Sequence, residues 1–277
     1  MRNHRLTLEY EGTRYFGWQR QPSHVTVQQV VEDGLERITG APTTVHASGR
    51  TDTGVHAEAQ VASFRSATAL PPERLMAALN AVLPDDVAVL DLVEAPPDFH
   101  ARFSARGKAY RYRVWNGRHR RVQDRTRRIH ERRRLDVGAM ARAASLWVGE
   151  HDFASFHAAG RDVESTVRIV RRFVVERAGD EVRFEVEASG FLYKMVRTMV
   201  GTLLEIGRGE RDPMAARTVL DARDRTVAGP TAPALGLALV VVSYDSDSTP
   251  LTPLERASTM PAPMRRTGGP SRKEASP

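Results

Sequence analysis

Apolar positions along this chain switch repeatedly between two periods. In "HRLTLEY", residues 4 to 10, Leu6, Leu8 and Tyr10 alternate with polar neighbours, which predicts a strand with one buried face. "EGTRYFGWQRQP" breaks the alternation with two glycines and a proline and reads as a loop. "TVQQVVEDGLERITG" spaces Val27, Val30, Val31, Leu35 and Ile38 helically, with Thr26 as N-cap and Gly40 as the stop. "TTVHASG" and "AQVASF" read as short strands on either side of a polar turn. "PPERLMAALNAVLP" reads as a helix opened by prolines and closed by Pro84, and "VAVLDLVEAP" as the strand after it.

A second series follows. "KAYRYRVWN" sets Tyr110, Tyr112 and Val114 against Arg111, Arg113 and Trp115, a strand with one polar face. "VGAMARAASLWVGEHDF" predicts a helix, and "VRIVRRFVVERAGDEVRFEVEAS" predicts two strands joined at "AGDE". "FLYKMVRTMVGTLLEIGRG" predicts the clearest helix, with Phe191, Met195, Met199 and Leu203 in one stripe widened by Val196 and Val200. "LGLALVVVSYD" closes the series as a strand. The shared rhythm divides the folded part into two related α/β units, residues 1–105 and 106–245. From Ser246 the chain is rich in Pro, Ser, Thr and Gly with no period, so residues 246–277 are expected to be a disordered tail.

Composition narrows the chemistry. No stretch approaches the ~20 apolar residues of a membrane helix. "MRNHRLTLEYEG" carries no long apolar run behind its arginines, so it does not read as a secretory signal. There is no cysteine, which excludes thiolate metal sites, disulfides and cysteine nucleophiles. Net charge is +7, and "RHRRVQDRTRRIHERRR", residues 118 to 134, holds nine arginines against Asp124 and Glu131. The excess is therefore local, as a nucleic-acid footprint is. A solvated arginine-rich loop is the competing reading.

Among groups able to do chemistry, His46 and His56 lie near Asp52, but no metal-ligand spacing such as H-E-x-x-H occurs, and no metal site is expected. No Walker loop, G-x-G-x-x-G or nucleophile elbow occurs either, so no cofactor is expected. Carboxylates remain. "SGRTDTGVH" places Asp52 between threonines and glycines, two residues from Arg50. In extended backbone that spacing puts both side chains on one side, and a guanidinium keeps a carboxylate ionised for nucleophilic work. An aspartate capping a turn, with Arg50 as a plain surface pair, fits the same residues. Tyr110 and Tyr112 interleaved with Arg111 and Arg113 suit RNA, with rings for bases and guanidinium groups for phosphates, but equally suit a strand facing a core.

Six blocks in order resemble the TruA-type tRNA pseudouridine synthase family. "YEGTRYFGWQRQ" is similar to the family's Y-[DE]-G-T-x-[FY]-x-G-W-Q pattern, and "GRTDTGVHAEAQVASF" to its catalytic segment. "DFHARFSARGKAYRYRVWN", "GEHDFASFH", "FLYKMVRTMVGTLLEIGRG" and "TAPALGLALVVVSYD" follow, so the resemblance spans about residues 4 to 245. It implies an α+β fold of two related subdomains with largely antiparallel sheets flanked by helices. It also implies a cytoplasmic homodimer that isomerises uridine at nucleotides 38 to 40 of the tRNA anticodon stem-loop without a cofactor. By the same resemblance Asp52 is the catalytic residue, and Tyr110 contacts the substrate. Arg50 and Arg197 attend them, Arg197 approaching the carboxylate from the second half of the chain. Where family members usually carry a proline-and-aromatic segment after the Y-R-Y strand, this chain has its arginine run. A basic RNA-binding protein without activity on the same scaffold is the alternative, and a metal-dependent phosphohydrolase is the third reading.

Overall fold

The computed structural model describes residues 1–160 and 163–244. The stretch 246–277 expected to be a disordered tail lies outside the described residues. Among the described residues ten strands join one mixed sheet, with five α-helices, so the class is α+β.

The first half supplies β1 (Arg2–Tyr10), α1 (Val27–Thr39), β2 (His46–Ala47), β3 (His56–Ser66), α2 (Pro72–Val82) and β4 (Val87–Ala95). The second supplies β5 (Gly107–Trp115), β6 (Ile129–His130), α3 (Val137–Ser145), β7 (Gly149–Asp152), β8 (Val167–Ala178), β9 (Glu181–Ala188), α4 (Met195–Gly207), α5 (Ala215–Ala222) and β10 (Leu237–Ser243). The strand order is β4-β1-β3-β10-β5-β9-β8-β7, with β2 on β3 and β6 on β5. Pairing is antiparallel except for β10 with β3 and β6 with β5. The last strand thus sits between β3 and β5 and joins strands of both halves into one sheet.

Local signals explain the elements. Thr26 caps α1 through its side chain, and Gly40 ends it at φ 71°. Helix α3 starts at the Asp136 cap and ends at Ser145, short of the predicted residue 153. Gly149 takes φ +119°, a backbone state closed to a helix, and the chain turns into β7 to extend the sheet edge. Helix α4 starts at Met195 and not near Phe191, because Lys194 adopts the left-handed region at φ 58°. Phe191 therefore leaves the helical stripe. Helix α5 escaped prediction: in eight residues it buries only Ala216, Val219 and Leu220.

Strand β5 bears on both readings of its alternation. Tyr110, Tyr112 and Val114 are buried. Arg111 and Arg113, on the other face, are held by carboxylates, Arg111 by Glu58 and Glu185 and Arg113 by Glu181. The arginines that appeared suited to phosphates are engaged within the sheet.

Candidate active site

Asp52 lies in the connection from β2 to β3, and its surroundings fix that connection from three sides. Below it, the Gln60 amide donates to the Gly49 carbonyl at 2.9 Å and its oxygen accepts from Ser48 Oγ at 2.7 Å. From the β5 side, Lys108 Nζ donates to the Ser48 carbonyl at 2.7 Å. Tyr10 shares a hydrogen bond with Thr51 Oγ1 at 2.9 Å, and burial pushes its phenol up to about 12. The third side is the glycine loop after β1. Trp18 N donates to the Thr51 carbonyl at 3.0 Å and Gly54 N to the Tyr15 carbonyl at 3.3 Å. A Cβ on Gly12 would stand 2.0 Å from the Val55 carbonyl, and one on Gly17 2.6 Å from that of Thr51. "EGTRYFGW" is therefore the cradle of the Asp52 turn, a role that reading it as a plain loop missed.

His56 belongs to this frame. Gly12 N donates to its Nδ1 at 3.0 Å, so the proton sits on Nε2, which donates to the Leu235 carbonyl at 3.1 Å. Burial lowers its pKa, so the ring is a neutral strut between the glycine loop and the segment before β10.

Opposite the turn stands the start of α4. Arg197 Nη1 lies 3.1 Å from Asp52 Oδ2, with the two side chains 14% and 17% exposed. Arg197 is itself aimed: its Nε donates to the Ala232 carbonyl at 2.7 Å, and Ala232 N donates back to the Arg197 carbonyl at 3.0 Å. The carboxylate is thus charge-paired while part of its surface opens to the cleft. Tyr110 is buried nearby, its ring edge-on to Phe191 at 5.0 Å and 89°. Burial first, then Tyr10 and the Asp52 charge, raise its phenol well above the ordinary value. Among the described residues no group hydrogen-bonds that hydroxyl.

Around these groups opens a cleft of about 1010 Å³. Arg50 lines it and is exposed; the ion pair of Asp52 is Arg197's. Among the described residues six cations line the walls, namely Arg50, Arg102, Lys108, Arg168, Lys194 and Arg197, against one carboxylate, Asp52. Sequence reading located the charge excess in the arginine run, yet no residue from 118 to 134 lines the cleft. The cleft cations come from five segments of the chain, only Lys194 and Arg197 sharing one, which is why no local pattern disclosed them. Several arginines of the run are engaged elsewhere: Arg128 is buried on Glu181 and Asp124, Arg127 faces Glu9 and Glu11, and Arg133 pairs with Glu210. Among the described residues no three His, Asp or Glu side chains gather as a metal would require, and no helix is long and apolar enough to cross a membrane.

A charged, aimed carboxylate beside a buried ring, in a cationic cleft, suits nucleophilic chemistry on a polyanion. The sequence pattern of a family described as tRNA pseudouridine synthase matches residues 7–104 and 143–245. The chain is 51% identical over 242 residues to tRNA pseudouridine synthase A of Moorella thermoacetica, covering 87% of this chain and 98% of that protein. It is 48% identical over 250 residues to the protein of the same name from Myxococcus xanthus, covering 90% and 94%. The corresponding protein of Caldicellulosiruptor bescii is 42% identical over 244 residues, covering 88% and 100%.

Proposed function

The chain belongs to the tRNA pseudouridine synthase family, and from that premise we propose that it isomerises uridine to pseudouridine at nucleotides 38 to 40 of the tRNA anticodon stem-loop. The observation that carries the reading is the Asp52–Arg197 pair, 3.1 Å apart in a cleft where six cations line the walls among the described residues. The reaction breaks the N1–C1′ bond and forms C5–C1′; C5 gives up its proton and N1 gains one, so nothing is consumed and no cofactor is called for.

The target base leaves its stack first, at a cost of a few kcal/mol. In this reading the cationic walls hold the RNA backbone, and the Tyr110 ring, braced by Phe191, stacks on the extruded uracil. Asp52 then attacks as a nucleophile, with C1′ of the ribose and C6 of the uracil as the two electrophilic positions open to it. Arg197 pairs with the carboxylate and orients it, and Arg50 at the exposed wall meets the RNA. The enzyme acts in the cytoplasm as a homodimer, so that one tRNA spans both copies.

The deciding experiment maps pseudouridine in tRNA from cells lacking this protein, and in stem-loop RNA treated with the purified protein or with Asp52→Ala. Loss at nucleotides 38 to 40 in the cells, restored by the parent and not by the variant, is expected. Pseudouridine unchanged in the deficient cells would overturn the reading.

A further inference from the structure

Lys108 takes part in none of the chemistry above, yet its setting is unusual. The chain has three lysines; Lys108 and Lys194 line the cleft, and Lys273 lies outside the described residues. Lys108 sits two residues before Tyr110 on β5, so both side chains leave the same face of the strand. Its ammonium is half-buried, and its one hydrogen bond among the described residues goes to a neutral acceptor, the Ser48 carbonyl at 2.7 Å. No carboxylate pairs with it among the described residues. Arg102, from the segment before β5, lines the same cleft, and its positive charge acts against that of Lys108.

A half-buried ammonium in the same cleft as a second cation and without a carboxylate is costly unless an anion joins them. The backbone is shaped around it all the same: a Cβ at Gly49 would meet Nζ at 3.0 Å and Cε at 3.4 Å, so glycine leaves the space above the ammonium open. Ser48 and Gly49 are also the residues that lead into the Asp52 turn.

We infer that Lys108 and Arg102 form a subsite for one phosphodiester of the substrate strand, seated against the Ser48–Gly49 backbone. The inference rests on the proposed function only in taking RNA as the anion. A phosphodiester here, with its single negative charge between them, would offset the repulsion of the two cations. It would also tie the backbone of the strand to the turn that carries Asp52, so binding would set the position of the nucleotide at the carboxylate.

The test measures affinity of the full-length protein for anticodon stem-loop RNAs that each carry one neutral methylphosphonate linkage. The parent should lose affinity on the order of 10-fold at one linkage or two adjacent ones, as removal of a charge-assisted contact does. Lys108→Gln and Arg102→Gln should each weaken binding of unmodified RNA and lose nothing further at that linkage. Because Lys108→Gln also removes the Ser48 bond, Arg102→Gln, which leaves that bond in place, is the independent arm. Losses that add at every linkage in the Arg102→Gln protein, or parent-like affinity in both variants, would overturn the subsite. Parent turnover is read on the same unmodified RNA: pseudouridine formed alongside additive losses rejects the subsite alone. Absent pseudouridine with a non-additive linkage rejects the proposed reaction and leaves the subsite standing.

Discussion

Asp52 and Arg197 are separated by 145 positions in sequence and by 3.1 Å in space. The carboxylate was legible early because glycines and threonines isolate it in a polar turn. Its partner was legible only through resemblance, since nothing local to "KMVRTMV" marks one arginine among so many. Asp52→Asn preserves shape and removes charge. It should lower kcat by on the order of 10³-fold or more while leaving RNA affinity and unfolding midpoint near the parent's. Substantial turnover by the pure variant would remove Asp52 from the mechanism. A second residue tests the interior. His4 is fully buried, stacks on Phe64 at 4.9 Å, and among the described residues has no hydrogen-bond partner for either ring nitrogen. Burial lowers its pKa, Arg2 lowers it further, and Glu94 opposes them weakly. A base whose folded pKa is depressed contributes stability that is present above its ordinary value of 6.5 and lost as pH falls through the folded value. His4→Phe should therefore raise stability by about 1 kcal/mol at neutral pH, since two unpaired buried nitrogens go. It should also flatten the decline of the urea midpoint on acidification. An acid response identical to the parent's would assign that decline to other groups, His56 first.

Elements were most legible where one period ran long. Helix α1 and the strands β1, β5, β8 and β9 follow their hydrophobic spacing, and their ends follow caps and glycines. Short elements and special backbone angles were not legible: α5 is too brief to show a period, and Gly149 and Lys194 move helix ends by backbone conformation. The glycine loop after β1 was the costliest omission, because its glycines matter through what lies against them and not through the turn they make. Gly12→Ala would bring a methyl group to 2.0 Å from the Val55 carbonyl, and backbone cannot yield as a side-chain tip does. The loop and the Asp52 turn should separate, costing about 2 kcal/mol or more of stability. Turnover should fall more than RNA affinity, since the cleft cations come from other segments. Gly40→Ala is the contrast: it sits at φ +71° with nothing near its Cβ position, so strain there should cost about 1 kcal/mol and leave kcat alone. Equal kcat for Gly12→Ala and the parent would mean that the loop does not position Asp52.

On the scale of the molecule, strands from both halves meet at β10, and the cleft draws its charge from both. The arginine run is a second basic surface, and it divides by structure. Arg128 is buried on Glu181, which also holds Arg113 and Arg183, so Arg128 serves the fold. Its replacement by Gln should lower stability by about 1–3 kcal/mol and leave RNA binding to the remaining folded protein unchanged. Arg132, Arg133 and Arg134 are exposed, and among the described residues Arg133 alone of the three has an ion pair, with Glu210. If the run tracks tRNA phosphates, Arg132 and Arg134 release counterions on binding, whereas Arg133 must first leave Glu210. The double variant Arg132→Gln, Arg134→Gln should then weaken tRNA binding at low salt and flatten the slope of log K against log salt by about two units. Adding Arg133→Gln should change the slope by less than one further unit. Saturated turnover should stay at the parent value throughout, because no residue of the run lines the cleft that holds Asp52. Affinity measured across a salt series for parent, double and triple variants decides the matter: superimposable slopes would make the run a solvated surface and leave the cleft cations as the RNA-binding charge.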